Sequence, residues 1–406
     1  MRLLLIHQNF PGQFRRMAPL WAKYPNWDVL GLGRKRSQGM TDLKWVGYDL
    51  HREPDPSKQH PYLVSMESAV LHGQATARAL LQLKQKGYAP DVILAHPGWG
   101  ETLYARDVFP NARLVHLCEW YYGTANSDFG FDPEFPSNFD AQARVKTWNA
   151  LHALNLVNCD AGISATQWQR SRHPKELQHK IQVIHEGVDT HYLKPDAHAE
   201  LTLPDGTRLR AGDPIVTYVA RNLEPYRGFH IFMRSLAQLQ REHPTCHVVI
   251  VGGDEVSYGS PPKDAANWRE KMLAEVKLDM SRVHILGKLP YATYAKVLQV
   301  SAAHVYLTYP FVLSWSMLEA MASGCVMIAS RTAPVEEVIT DGLQGVLTDF
   351  FDSEQLVKHM IHALNHPEFY RDMRAAARAK VQADYTLDKA EKSFKELILG
   401  NSESES

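Results

Sequence analysis

"IVTYVARNLEPYRGFHIFMRSL", residues 215 to 236, starts as a β-rich apolar run, turns through Arg221 to Gly228, and continues with apolar residues at helical spacing. It reads as a strand, a tight turn and a helix, the unit from which parallel sheets covered on both faces are built. Neighbouring stretches repeat the pattern. Downstream, "HVVIVGG" at 247, "VHILGK" at 283, "AHVYLT" at 303, "VMIAS" at 326 and "GVLTD" at 345 are further short apolar runs. Upstream, "LLLIH" at 3, "DVLGLG" at 28, "DVILAH" at 91, "RLVHLC" at 113, "AGISAT" at 161 and "QVIHEG" at 182 form an earlier series, with a clear helix from Glu67 closing at Gly87. Two successive series of strands alternating with helices predict two doubly wound α/β domains.

At 406 residues the chain has room for two ordinary domains. The boundaries read as 1–195 and 213–385. The polar, Pro- and Gly-containing stretch 196–212 reads as a linker, and 401–406 as a disordered tail. Lys plus Arg number 44 against 45 for Asp plus Glu, a balance that argues against nucleic acid as a partner. Four distant cysteines form no C-x-x-C pair, which fits a cytoplasmic location. No apolar run reaches the length of a membrane span. "FRRMAPLW" at 14 to 21 suits either peripheral membrane contact or a buried helix, and both readings stay open.

In open α/β sheets, ligands meet the chain just beyond the carboxyl ends of the strands. Arg221 and Arg227 lie there, at a turn that opens a helix, and suit a diphosphate; the competing reading pairs both with Glu224 on the surface. Gly253 ends a strand where a backbone can approach a ligand. Gly12 and Gln13 follow the first strand and offer amides to a phosphate or sugar. His96 and Trp99 in "HPGWGE", and Glu119, Trp120, Tyr121 and Tyr122 in a long aromatic and acidic loop, suit contact with sugar rings and hydroxyls. The loop also reads as a packed lid. Asp132 and Glu134 read as a loop pair, and His359, His362 and His366 as a solvated helix face, so no metal site is expected. Neither glycine-rich stretch has the G-x-G-x-x-G spacing of a dinucleotide fold. Glu319 has two readings: a capping box started by Ser316, or a ligand-binding carboxylate.

In chain order, "VARNLEPYRGF", "VGGD", "VHILGKLP", "LEAMASGCVMIAS" and "EEVITDGLQGVL" resemble the motifs of the retaining GT-B glycosyltransferases of glycosyltransferase family 4. The resemblance implies two Rossmann-like domains facing across a cleft, with a last helix, about 386–400, crossing back to the N-terminal domain. It implies a nucleoside-diphosphate sugar as donor, on the C-terminal domain. A sugar, glycan or lipid-linked acceptor would sit on the N-terminal one, at the inner face of a membrane or in the cytoplasm, with no metal and no other cofactor. Arg221 and Arg227 would stabilise the departing diphosphate and Glu119 would stand beside the donor sugar. Gly287, Lys288 and Leu289 would face the base, the amides of Ser314 and Trp315 the diphosphate, and Glu319 the ribose. The family's other glutamate, which meets the donor sugar, falls on Phe311, a departure from the pattern. A sugar-nucleotide epimerase and a non-catalytic sugar-nucleotide-binding protein are the alternative readings.

Overall fold

The computed structural model describes residues 1–400, and the tail expectation for 401–406 lies outside them. The chain divides into two compact units: Met1–Glu186 with the segment from Asp388 onward, and Gly187–Leu387.

The first unit holds β1 (Arg2–Ile6), β2 (Asp28–Arg34), β3 (Trp45–Tyr48), β4 (Val92–Ala95), β5 (Arg113–Leu117), β6 (Ala161–Ser164) and β7 (Ile181–Val183). Their order is β3-β2-β1-β4-β5-β6-β7, with β1 parallel to both neighbours (Leu4 beside Leu30 and Ile93). Leu3, Leu4, Leu5 and Ile6 are all fully buried, as a strand covered on both faces requires. "FRRMAPLW" resolves to the buried reading: Phe14, Met17, Ala18 and Trp21 are all in the core. The helix Leu387–Leu399 packs back onto this unit from Asp388 onward, as expected. Its Phe394 ring meets Trp21 at 5.9 Å, and the Tyr24 hydroxyl donates to Glu391.

The second unit holds β8 (Glu200–Thr202), β9 (Arg208–Arg210), β10 (Ile215–Asn222), β11 (His247–Gly253), β12 (Val283–Ile285), β13 (Ala303–Tyr306), β14 (Met327–Ser330) and β15 (Val346–Thr348). The main sheet runs β12-β11-β10-β13-β14-β15, with Val216 beside both Val248 and Ala303.

The expected linker is a correction. Residues 196–212 fold as the antiparallel β8–β9 hairpin, and Leu201, Leu203 and Leu209 are buried against Ile215, Val249 and Val297. Leu201 and Leu209 each stand between polar neighbours and Leu203 follows Leu201 two residues on, a period-2 pattern that outweighs the polar composition. The boundary lies earlier than 195 for the same reason: Val188 and Leu193 belong to the second unit's core. Arg378 donates to the Thr190 and Leu193 carbonyls and holds that segment there.

Each sheet reverses its winding at one place, between β1 and β4 in the first unit and between β10 and β13 in the second. Both turns leaving these points close on a glycine with left-handed φ. At Gly12 (φ +51°) an added Cβ would stand 2.2 Å from the His7 ring, and at Gly228 (φ +67°) 2.3 Å from Leu307 Cβ. Only glycine fits either position without strain.

Candidate functional site

At the winding reversal of the first unit, His7 follows β1, His96 follows β4 and Glu119 lies just past β5. The Asn9 amide donates to His7 Nδ1 (3.0 Å) and the Gly98 amide to His96 Nδ1 (3.2 Å). An amide nitrogen only donates, so each ring accepts at Nδ1 and carries its proton on Nε2. His7 Nε2–H then donates to Gln13 Oε1 (2.5 Å), and the Gln13 amide group donates to Glu119 Oε1 (3.2 Å). His96 Nε2–H donates to Glu119 Oε2 (3.0 Å), while Trp99 stacks on the His96 ring with centroids 4.2 Å apart. One carboxylate is thus oriented by two directed donors, a geometry suited to holding neutral hydroxyls rather than an anion.

The structure therefore brings Gln13, His96, Trp99 and Glu119 together, with Gly12 as the turn that admits the His7 ring. His7 was missed. The strand-end rule that singled out Arg221 would have found it, because it is the first residue after β1. Trp120, Tyr121 and Tyr122 follow Glu119 in the same loop. Their rings lie against Trp168, His173 and His152 respectively (6.2, 5.8 and 5.5 Å), which makes them part of the loop's packing. Asp132 accepts the Glu134 amide at 2.9 Å, a local turn bond.

At the second reversal, Arg227 bridges the turn after β10 to the turn after β13. It is 6% exposed, and its Nη1 donates to Thr308 Oγ1 (2.7 Å) and the Val312 carbonyl (3.0 Å). Its guanidinium also lies 5.2 Å from the Tyr258 ring centroid. The competing surface-pair reading fails for Arg227. Glu224 is fully buried and accepts the amides of Ser257, Tyr258 and Gly259 at 3.0–3.1 Å, which pins that loop. Arg221 is exposed at the end of β10. Beside it, Lys288 Nζ pairs with Glu255 at 2.7 Å, and a Cβ on Gly253 would touch Lys288, Asn222 and Glu255. Gly287 (φ +66°) gives its carbonyl to the Gly252 amide, and Leu289 packs into the core.

Two expectations change at the turn after β13. The helix Trp315–Ala322 is capped by Ser314, which leaves Ser316 inside the helix and removes the capping box. The Ser314 amide donates to the Tyr306 hydroxyl at 2.8 Å, so of the two amides expected to face a diphosphate this one is already engaged. Glu319 is buried and accepts from the Tyr294 hydroxyl at Oε2 (2.6 Å) and the Tyr291 hydroxyl at Oε1 (3.0 Å). Burial, with Glu319 beside it, raises the Tyr294 phenol well above its ordinary range, so it remains a donor. Both tyrosines were missed, although their i, i+3 spacing in "YATY" puts them on one helix face. Phe311 packs edge-on against Tyr258 (5.0 Å) and Tyr226 (5.5 Å), completing an aromatic wall beside Arg227. His362, from the expected solvated face, bonds the Tyr370 hydroxyl at 2.8 Å.

Two family models divide the chain almost completely. Residues 25–193 match the glycosyl transferase family 4 group, and residues 202–380 match glycosyl transferases group 1. The chain belongs to this glycosyltransferase family. One curated relative of this group 1 chain is a D-inositol 3-phosphate glycosyltransferase of Segniliparus rotundus, 25% identical over 200 residues. That match covers 49% of the chain and 42% of the relative, so the chain is aligned to less than half of the relative's length. Among solved structures, sucrose-phosphate synthase from Thermosynechococcus elongatus superposes with a TM-score of 0.71 at 18% identity, covering 98% of both chains. HepE of Anabaena, solved in complex with UDP-glucose, gives 0.68 at 15% identity, covering 98% of this chain and 100% of that one. At these identities the likeness is one of fold, and the fold is GT-B. No helix among the described residues is long and apolar enough to cross a membrane.

Proposed function

We propose that the protein transfers a sugar from a nucleoside diphosphate to an acceptor hydroxyl with retained anomeric configuration. The second unit takes the donor and the first takes a sugar, glycan or lipid-linked acceptor. The observation that carries this reading is Arg227, a buried guanidinium set at a winding reversal, with exposed Arg221 on the same strand end. As the glycosidic bond breaks, negative charge grows on the diphosphate, and fixed positive groups there lower the barrier. Two arginines supply that charge without a metal. Loss of the buried one, Arg227, costs roughly 3–4 kcal/mol in the barrier. The polar cluster of the first unit suits the acceptor, since an oriented carboxylate and a stacked indole–imidazole pair bind sugar hydroxyls and ring faces.

The test begins with a thermal-shift screen of UDP, GDP and ADP and their glucose, mannose and N-acetylglucosamine conjugates, followed by a product assay on any donor that stabilises the fold. Stabilisation by a nucleoside diphosphate together with acceptor-dependent sugar transfer supports the reading. A donor consumed equally well without any acceptor, or no stabilisation by any of these compounds, contradicts it.

A further inference from the structure

The helix Ser353–Asn365 runs out in "HALNH", residues 362 to 366, which puts His362 and His366 four residues apart at its last turn. Side chains at that spacing are neighbours on one helix face, the arrangement by which paired histidines hold zinc. Spacing alone fits a solvated face equally well, but the structure adds to it. The two ring centroids are 4.7 Å apart, with the planes at 47°. With metal–nitrogen bonds of about 2.0–2.1 Å, two imidazoles sharing one ion have centroids roughly 4.5–5.2 Å apart between right-angled and tetrahedral geometry. Both residues are exposed, and His362 Nδ1 is bonded to the hydroxyl of buried Tyr370 at 2.8 Å. A ligating imidazole usually gives its other nitrogen to an anchored oxygen of this kind. His247 and His284 make the contrast. Their Nδ1 and Nε2 atoms are 3.0 Å apart in rings 13° from parallel, so a shared proton fills the place an ion would need. Among the described residues, His359, three residues before His362, does not complete a three-ligand group with the pair.

We propose that His362 and His366 bind one divalent transition-metal ion of the Zn²⁺, Ni²⁺ and Cu²⁺ class, with water completing its coordination. These are the ions that imidazole nitrogen suits. In the bound tautomer His362 Nδ1–H donates to the Tyr370 hydroxyl oxygen, and Nε2 carries the lone pair that meets the ion. His366 is the residue at which the helix ends, and Tyr370 closes the short turn Pro367–Tyr370 that leads into the helix Arg371–Asp384. The ion therefore ties the end of one helix to the start of the next. The site is independent of the glycosyl-transfer reading, which uses no metal, and each stands or falls without the other.

The experiment titrates Ni²⁺, and separately Zn²⁺, into the tag-free, chelator-washed full chain by calorimetry at about pH 7.5, where imidazole is neutral. One saturable equivalent and a raised melting temperature are the expected result. His362→Ala and His366→Ala, both at exposed positions, should each bind at least about tenfold more weakly. Tyr370→Phe keeps both ligands and should still lose about tenfold, the low end of what a lost outer partner costs. His359→Ala should bind as the wild type does. At about pH 5.5 wild-type binding should disappear as the imidazoles take up protons. Absence of saturable binding overturns the proposal. An equivalent that persists in both alanine variants is an adventitious ion only and overturns it as well. Binding that the alanine variants weaken but Tyr370→Phe leaves unchanged refutes the anchoring of His362 by Tyr370.

Discussion

The two winding reversals share a backbone device and differ in charge. Each turn closes on a glycine with left-handed φ against a side chain that leaves no room for a Cβ: Gly12 against His7, Gly228 against Leu307. Around Gly12 the functional groups are imidazoles, an amide and one carboxylate, whereas around Gly228 they are two arginines, a hydroxyl and the Glu224 carboxylate, which is already held by three loop amides. One topology therefore yields a place for hydroxyls in one unit and a place for an anion in the other. The residues after the strands, rather than the strands, make that distinction.

Removing the charge should break the comparison most severely. Arg227→Ala is expected to lower kcat/KM by about 10²–10³-fold, with the first unit's hydrogen exchange unchanged. Arg227→Lys should recover only part of this, since an ammonium lacks the planar, multi-donor guanidinium that lies beside the Tyr258 ring. Activity of Arg227→Ala within threefold of wild type would remove the anion site from the second unit.

The shared device is tested next. Gly12→Ala and Gly228→Ala should each cost about 2–3 kcal/mol of unfolding free energy, through positive φ and a collision. Gly228→Ala should be the worse, because its collision is with Leu307 Cβ, which only a backbone shift can move, whereas at Gly12 it is with the His7 ring, a side-chain group. Denaturant melts resolve the two, and an unchanged midpoint in either variant refutes the crowding argument there.

Acid should weaken both units, the first more than the second. Burial lowers His116, His152 and His185 in the first unit, and His304 in the second, to about 3. Each stays neutral when folded and is protonated on unfolding below the ordinary value of about 6.5, so stability present above pH 6.5 is lost toward pH 3. Each such group contributes a slope of about 1.4 kcal/mol per pH unit. Glu101, raised by burial, opposes one of them in the first unit. Melting temperatures recorded from pH 7 to pH 5 should therefore fall. A flat profile would mean that these histidines become protonated in the folded state.

The smallest effect is expected at Arg221. It is exposed, so Arg221→Ala should reduce kcat/KM by no more than about tenfold. A loss matching that of Arg227→Ala would make the exposed guanidinium the principal charge and reverse their order.

Much of this was legible from periodicity alone. Buried parallel strands are apolar throughout, so runs such as "LLLIH" and "HVVIVGG" announced both sheets and, through their ends, Arg227, Gln13, His96 and Glu119. Pairing was less legible. Nothing local in "MLEAMA" says that Glu319 meets two phenols from the helix before β13, and nothing in "PFVLS" says that Phe311 closes an aromatic wall on Tyr226 and Tyr258. Those partners come from sequence positions tens of residues away. The β8–β9 hairpin was misread for the opposite reason, since polar composition hid an alternation that was present.

The central claim is that charge assigns the nucleotide to the second unit's reversal. Hydrogen exchange of the full chain with and without saturating nucleoside diphosphate tests it most directly. Slowed exchange at 221–228 and 308–319, with 7–13 and 96–101 unaffected, is the predicted result. Protection confined to 7–13 and 96–101 would contradict it.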